Sequence, residues 1–442
     1  MRNRTITFGT DGVRGVANKG LLPEDALRLG LAASRAFGGN ILVGRDTRLS
    51  GEMLASALCA GAASGGADVV DLGVLPTPGV AALAPRLGAT AAGVVSASHN
   101  PYPDNGIKFF SGEGRKLSPE KEREIEDLLG RDIVRPTGSG VGGVEVIADA
   151  TRMYAAWVLR KLRPSAEGVK VLLDCANGAA YEVAPLVFRE IGVDLTLTGA
   201  DPTGTNINED CGSTHIEELD ASGHDVAFAF DGDADRVLAL DEQGNVVDGD
   251  RIIAILARDK KKRGVLSGEV VVTVMSNLGF FKAMEAMEIA YDVTDVGDRH
   301  VVEAMDRLSA SLGGEQSGHV ILSEHTTTGD GLVTALALLD VMVRSGRPLS
   351  ELAAAMEAYP QTLINVRVQE PGAAKAIAAS ETVRLTVSEA QSTLGEEGRV
   401  LLRPSGTEPV VRVMVEHSDE TVCREVCEGI SRAVYDAGKE GT

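Results

Sequence analysis

The chain has 442 residues, 44% of them apolar and 24% charged, which is enough hydrophobic material for several folded cores and excludes wholesale disorder. Its 43 basic residues against 64 acidic ones leave a formal charge of −21, which argues against a general binder of nucleic acid or anionic membrane, since both would be repelled at long range. Five cysteines, an odd number scattered through a long chain, do not form the pattern of a disulfide-stapled secreted domain and suit a reducing cytoplasm.

The first residues run polar into the glycine-rich segment Thr7-Phe8-Gly9-Thr10-Asp11-Gly12-Val13-Arg14-Gly15, without the apolar core of a signal peptide. Residues 41–46 then form a β-rich run that closes in a polar turn and leads into an Ala/Leu/Met-rich helical stretch. Residues 169–174 and 270–275 repeat that plan, the βα unit of a mostly parallel sheet, at intervals of about 100 to 130 residues. Three comparable α/β domains are expected. No uncharged apolar run reaches the ~18 residues a membrane span needs.

Between the first two units lies Gly93-Val94-Val95-Ser96-Ala97-Ser98-His99-Asn100-Pro101, with Lys108 shortly after. A strand ends here in a loop presenting Ser, His and Asn together, where α/β proteins place reactive groups. Neither serine has the Gly-x-Ser-x-Gly surroundings of a hydrolase elbow. A serine that carries a phosphoryl group, its charge offset by Lys108, fits, and so does a plain polar turn. Glu120, Glu122, Glu124 and Glu126 follow the helix start Ser118-Pro119 and are expected to fan outward into solvent.

The second candidate site is Asp231-Gly232-Asp233-Ala234-Asp235-Arg236, immediately after the strand at 226–230. A glycine-containing turn can fold three short carboxylates around one hard cation, and Mg²⁺ suits few protein ligands plus a phosphate oxygen. An EF-hand is excluded, because Arg236 stands where its glycine would be and the segment follows a strand. The third site, Gly313-Gly314-Glu315-Gln316-Ser317-Gly318-His319, offers donors and acceptors spread to hold vicinal hydroxyl or amino groups. The fourth, Arg403-Pro404-Ser405-Gly406-Thr407-Glu408-Pro409 with Arg412 behind it, fits a compact oxyanion cradle, and so does a plain Pro/Gly turn. Gly297-Asp298-Arg299-His300 is a further Gly-Arg turn. Cys423 and Cys427 stand four apart with no histidine or third cysteine beside them and read as helix positions. Boundaries fall so as to give domains 1–149, 150–251, 252–361 and 362–442, the last running strand, helix, strand, loop, strand, helix.

The four motifs, in this order across the whole chain, resemble those of the α-D-phosphohexomutase superfamily. Gln316 and the stretch at 206–215 resemble its glucosamine branch; the glucose and mannose branches more often carry Met at the position of Gln316. The resemblance implies four domains in a heart-shaped arrangement, three similar α/β domains with mixed sheets and a smaller C-terminal α+β domain, around a central active-site cleft. It implies the interconversion of glucosamine 6-phosphate and glucosamine 1-phosphate through a phosphoserine enzyme and a sugar 1,6-bisphosphate. Ser98 would carry the phosphoryl group, and one Mg²⁺ per subunit would be held by Ser98, Asp231, Asp233 and Asp235. Lys108, Arg14 and His319 would transfer protons and stabilise charge. Glu315 and Ser317 would grip the sugar, and Arg403, Ser405, Gly406 and Thr407 the phosphate that is not reacting. Arg236, Arg299 and Arg412 would add positive charge for the anionic ligand. A sugar 1,6-bisphosphate or another phosphorylation would prime Ser98. The expected partner is a small hexosamine phosphate, with neither nucleic acid nor membrane, in a cytoplasmic protein for which a homodimer is compatible. The alternatives are a glucose or mannose phosphomutase, a metal-dependent sugar phosphatase and a non-enzymatic sugar-phosphate binder.

Overall fold

The computed structural model describes residues 6–9, 11–369, 371–405 and 409–440. The chain divides into two compact units, one within residues 1–275 and 287–355, the other within residues 276–286 and 356–442.

The first unit repeats one sheet topology three times. Strand Asn40–Arg45 lies between two parallel partners, Asp68–Val74 and Ala91–Val95, and Asp104–Ser111 closes antiparallel onto the last of these. Lys170–Asp174 lies likewise between Asp194–Thr198 and Val226–Phe230, closed by Val237–Asp241. Val270–Thr273 lies between Tyr291–Thr294 and Leu312–Gly314, closed by Val320–Leu322. Val13–Val16 and Val144–Val146 extend the first sheet at its edges, and Val246–Val247 extends the second. The sheets are therefore mixed. Strands such as Ala91–Val95 and Val226–Phe230 are apolar along their whole length because both faces are covered, and every residue in them is buried.

This repetition fixes where loops fall. The segments 96–103, 231–236 and 315–319 each connect the third strand of a repeat to the antiparallel fourth. Three of the four sequence motifs thus share one topological address, beyond the carboxyl end of a parallel strand, where open α/β sheets bind ligands.

Helix Pro119–Leu129 begins as expected, with Ser118 accepting from Lys121 N. Its acidic face departs from the expectation. Glu120 and Glu124 are exposed, but Glu122 pairs with Arg299 at 2.6 Å and Glu126 accepts from Phe8 N at 2.6 Å. A residue two positions on points far round the helix, yet four positions restores the face; Glu122 and Glu126 therefore share the side that meets the rest of the unit.

The second unit contains an antiparallel sheet in the order Gln361–Arg367, Val410–His417, Gly398–Pro404. Helix Glu420–Glu440 lays Cys423, Cys427, Ile430 and Val434 on the buried sheet residues Val411, Val413 and Val415, so the two cysteines are core positions. The single helix expected between the first two strands is two, Pro371–Ala378 and Glu381–Leu394, because Ser380 caps the second by accepting from Val383 N. Helix Leu278–Ala286 also belongs to this unit. Glu416, fully buried, accepts from Leu278 N at 2.9 Å and from Asn277 Nδ2 at 3.2 Å and pairs with Arg399 at 2.6 Å. Burial nevertheless pushes the Glu416 carboxyl above its ordinary range, against the pull of Arg399.

Candidate active site

Ser98 follows strand Ala91–Val95 and takes a left-handed backbone conformation, φ 50°. Its side chain is turned inward, and Oγ donates to Asp231 Oδ2 at 2.6 Å, with His99 Nδ1 at 3.2 Å from the same oxygen. The loop is held from beneath. Ser96 Oγ accepts from Ser98 N at 2.9 Å and donates to Asp46 Oδ2 at 2.6 Å. Arg48, paired with Asp46 at 2.8 Å, donates to the carbonyls of Ser98, Asn100, Pro101 and Asp104. Asn208, from the loop before strand Val226–Phe230, adds donors to Ser98 O and Asn100 O at 2.9 and 3.1 Å.

Asp231, Asp233 and Asp235 leave strand Val226–Phe230 in a tight turn, and their ligand atoms lie within 4.8 Å of one another. Gly232 is demanded by space: a Cβ there would lie 2.5 Å from Ser98 O and 2.8 Å from Asn208 Nδ2. Three buried carboxylates so close repel one another. Burial, with Asp235 and Asp233 alongside, pushes Asp231 well above the usual carboxylate range. Asp235 goes the other way, since His319, Lys108 and Arg236 overcome its burial and hold it down. Asp233 receives Lys108 Nζ at 2.7 Å and Thr77 Oγ1 at 2.5 Å. Asp233 Oδ1 and Asp235 Oδ1 are buried without a hydrogen-bond partner. A hard divalent cation satisfies such oxygens, so the residues present fit one.

Above the loops opens a cleft of about 480 Å³, lined by groups that include Arg14, Ser98, His99, Lys116, Asp235, Arg236, Asp298, Glu315 and His319. Lys108 lies just below it, almost fully buried. Desolvation would pull its ammonium down, but Asp11, Asp233 and Asp235 outweigh that and raise it. Arg14 pairs with Asp11 and donates to Asn100 Oδ1 at 3.3 Å. Lys116 bridges Asp11 and Asp298. His319 is buried with Nδ1 3.6 Å from Asp235 and Nε2 3.7 Å from Asp298. Burial disfavours a charged ring, yet Asp235, Asp298 and Glu315 raise its proton affinity; the Gly329 amide, which donates to Nε2 at 3.2 Å, opposes a second proton. Burial and the cations Arg236 and Arg14 pull His99 down to about 4.

The structure thus gathers Arg14, Ser98, Lys108, Asp231, Asp233, Asp235, Arg236, Glu315 and His319 at one place. Ser317 is exposed at the tip of its loop. Arg299 is engaged by Glu122. Arg403, Ser405 and Arg412 belong to the second unit, where Arg403 and Arg412 stand directly opposite each other on paired strands. Gly406 and Thr407 lie outside the described residues. Asp46 and Arg48 have no role of their own in the motifs above, nor do Asn208, Asp11, Lys116 and Asp298, although Asp46, Asn208, Asp11 and Asp298 stand within segments quoted there. The first two had a signal, a polar Asp-x-Arg just beyond a parallel strand.

Mixed α/β repeats that bring a serine, three aspartates and the Glu315–His319 loop to one place define a class. Four family models described as phosphoglucomutase/phosphomannomutase match: domain I over residues 5–133, domain II over 154–244, domain III over 248–359 and the C-terminal domain over 363–433. The chain belongs to this family of sugar-phosphate mutases and is an isomerase. It is 69% identical over 442 residues to the phosphoglucosamine mutase of Rubrobacter xylanophilus, covering 100% of this chain and 99% of that protein. It is 51% identical over 438 residues to that of Moorella thermoacetica, covering 96% and 98%. Among solved structures, a phosphoglucomutase/phosphomannomutase family protein of Burkholderia thailandensis superimposes with a TM-score of 0.82 at 25% identity, covering 99% of this chain and 98% of that one. Among the described residues, no helix is long and apolar enough to cross a membrane.

Proposed function

We propose that the chain interconverts glucosamine 6-phosphate and glucosamine 1-phosphate, towards UDP-N-acetylglucosamine and the cell wall, in the cytoplasm. The observation that carries this reading is Ser98 Oγ, 2.6 Å from Asp231 within a buried triad of aspartates, at a cleft that also presents Glu315 and His319. Identity of 69% along the whole length of a relative named for that sugar supports the choice of glucosamine.

Phosphorylated Ser98 gives its phosphoryl group to the free hydroxyl of the bound sugar phosphate. The new O–P bond forms as the bond to Oγ breaks, and the hydroxyl proton leaves to a base. The resulting 1,6-bisphosphate turns over, and its other phosphate returns to Ser98. Asp231, Asp233 and Asp235, with Ser98, are the residues that would hold Mg²⁺, which would neutralise charge on the moving phosphoryl group. Lys108, its ammonium raised by three carboxylates, and Arg14, which cannot deprotonate, stay cationic and stabilise charge. His319 holds or moves the proton. Glu315 and Ser317 grip sugar hydroxyls, and Arg403, Ser405, Gly406 and Thr407 hold the idle phosphate, with Arg236, Arg299 and Arg412 adding positive potential. A sugar 1,6-bisphosphate primes Ser98, one Mg²⁺ serves each subunit, and the domains are 1–149, 150–251, 252–361 and 362–442.

Intact-mass analysis with peptide mapping should find one phosphate on Ser98, and Ser98→Ala should lower turnover by at least ~10³-fold. Undiminished turnover of that variant would overturn the reading. Comparison of kcat/KM on glucosamine, glucose and mannose phosphates should favour glucosamine; a clear preference for mannose phosphate would overturn the substrate, and steady release of inorganic phosphate without isomerised sugar would point to a phosphatase.

A further inference from the structure

We propose that Arg48 is the positioning residue that holds the Ser98 loop in the backbone geometry from which Oγ can carry and deliver a phosphoryl group; this rests on the reading of Ser98 as the phosphoryl carrier.

A guanidinium has five N–H groups in a fixed planar fork. In Arg48 all five have acceptors: Nε–H goes to Asp46 Oδ2 at 2.8 Å, Nη1 donates to Pro101 O at 2.6 Å and Asp104 O at 3.0 Å, and Nη2 donates to Ser98 O and Asn100 O at 2.8 Å each. The side chain has no exposed surface, and neither does that of Asp46, which neutralises it. Three carbonyls of the loop and the one that opens the next strand thus converge on a single planar cation from inside the protein. Lysine could not replace it, having three donors on a tetrahedral nitrogen and no fork.

What this fork holds is an unusual conformation. Ser98 is a non-glycine residue at φ 50° and would not keep that conformation without support. Its carbonyl is fixed by Arg48 and by Asn208 at 2.9 Å, and its amide by Ser96 Oγ, which is itself anchored on Asp46. Asp46 therefore ties both ends of the Ser98 peptide environment, one through Ser96 and the other through Arg48. With both ends fixed, Oγ is aimed at Asp231. Arg48 is absent from the residues lining the cleft, so its effect on a sugar phosphate runs through the loop. A displacement of ~1 Å at a reacting atom costs roughly 10²-fold in rate.

The test uses the full-length enzyme. Arg48→Lys should lower kcat roughly 10²-fold while KM stays within about threefold, because the loop shifts and the sugar contacts do not. Single-turnover phosphorylation of Ser98 by glucosamine 1,6-bisphosphate, followed by intact mass, should slow in parallel. Added guanidinium ion should restore part of the turnover of Arg48→Ala. If Arg48→Ala fails to fold, Asn208→Ala carries the test, since it deletes two bonds to the same carbonyls and should lower kcat by a smaller factor with KM unmoved. Folded Arg48→Lys and Asn208→Ala variants that both turn over within about threefold of the parent, beside an inactive Ser98→Ala, would overturn the positioning role alone. Full activity of Ser98→Ala would overturn the reading of Ser98 instead.

Discussion

The loops at 96–103 and 315–319 occupy the same place in two copies of one topology, yet they are built in opposite ways. Ser96, Ala97 and Ser98 are buried, while 101–103 are exposed, and the loop backbone is pinned by side chains from beneath, with Arg48, Ser96 and Asn208 directed at it and Asp46 anchoring Ser96 and Arg48. The 315–319 loop is secured mainly through its own backbone and its neighbours'. Glu315 N bonds His319 O and Gly318 N bonds Glu315 O at 3.0 Å, while Gly249 N and Val237 N bond the carbonyls of Gln316 and Gly318. Of its side chains Glu315 and His319 line the cleft, while Ser317 is exposed and Gln316 reaches Asp248 at 3.2 Å. The contrast matches the two tasks assigned above. A nucleophile must present one atom at one point, whereas a sugar that binds in two orientations needs contacts that tolerate both. Topology supplies the address, and side-chain anchoring sets how tightly the occupant is held.

Substitutions that invade the anchored loop should therefore cost most. Gly232→Ala introduces a Cβ 2.5 Å from Ser98 O, which must push the loop or the aspartate turn aside. We expect kcat to fall roughly 10²-fold with little change in KM. A wild-type kcat for this variant would show that the anchored loop tolerates movement and would erase the contrast. Glu315→Gln acts on the other loop and, on the reading proposed above, would remove a charged contact to the sugar. A hydrogen bond involving a charged group contributes about 1.5–3 kcal/mol, so steady-state kinetics should show KM raised roughly 10- to 100-fold with kcat less affected. A loss confined to kcat would mean that Glu315 acts on the reacting groups. The smallest effect belongs to Ser317→Ala, whose exposed hydroxyl would, on the proposed reading, give the sugar one neutral hydrogen bond of about 0.5–1.5 kcal/mol, a KM change of roughly two- to tenfold. A change of a hundredfold or more at Ser317 would make that loop as exacting as the other.

The fold was legible where residue type repeats. β-rich runs closing in polar turns announced three α/β repeats, and the Asp231, Asp233, Asp235 spacing after a strand announced a buried carboxylate triad. Beyond the polar Asp-x-Arg turn nothing marked what Arg48 does, for a physical reason: apart from Asp46 its partners are main-chain carbonyls some fifty positions away, and a carbonyl leaves no mark in a residue string. Asn208 escaped likewise, its amide serving a backbone in the preceding repeat. The acidic run on helix Pro119–Leu129 misled because charge alone does not say which glutamates face a partner; Arg299 for Glu122 and the Phe8 amide for Glu126 come from remote segments.

Helix Leu278–Ala286 has a consequence for how the protein is made. It joins the C-terminal sheet through Glu416, although the chain on both sides of it belongs to the first unit. During synthesis it leaves the ribosome well before its sheet exists, so the second unit cannot close until strand Val410–His417 has emerged. A recombination or truncation point placed at 355 would separate the helix from the carboxylate that receives its first amide, and any exchange of the C-terminal unit between relatives must carry residues 276–286 with it.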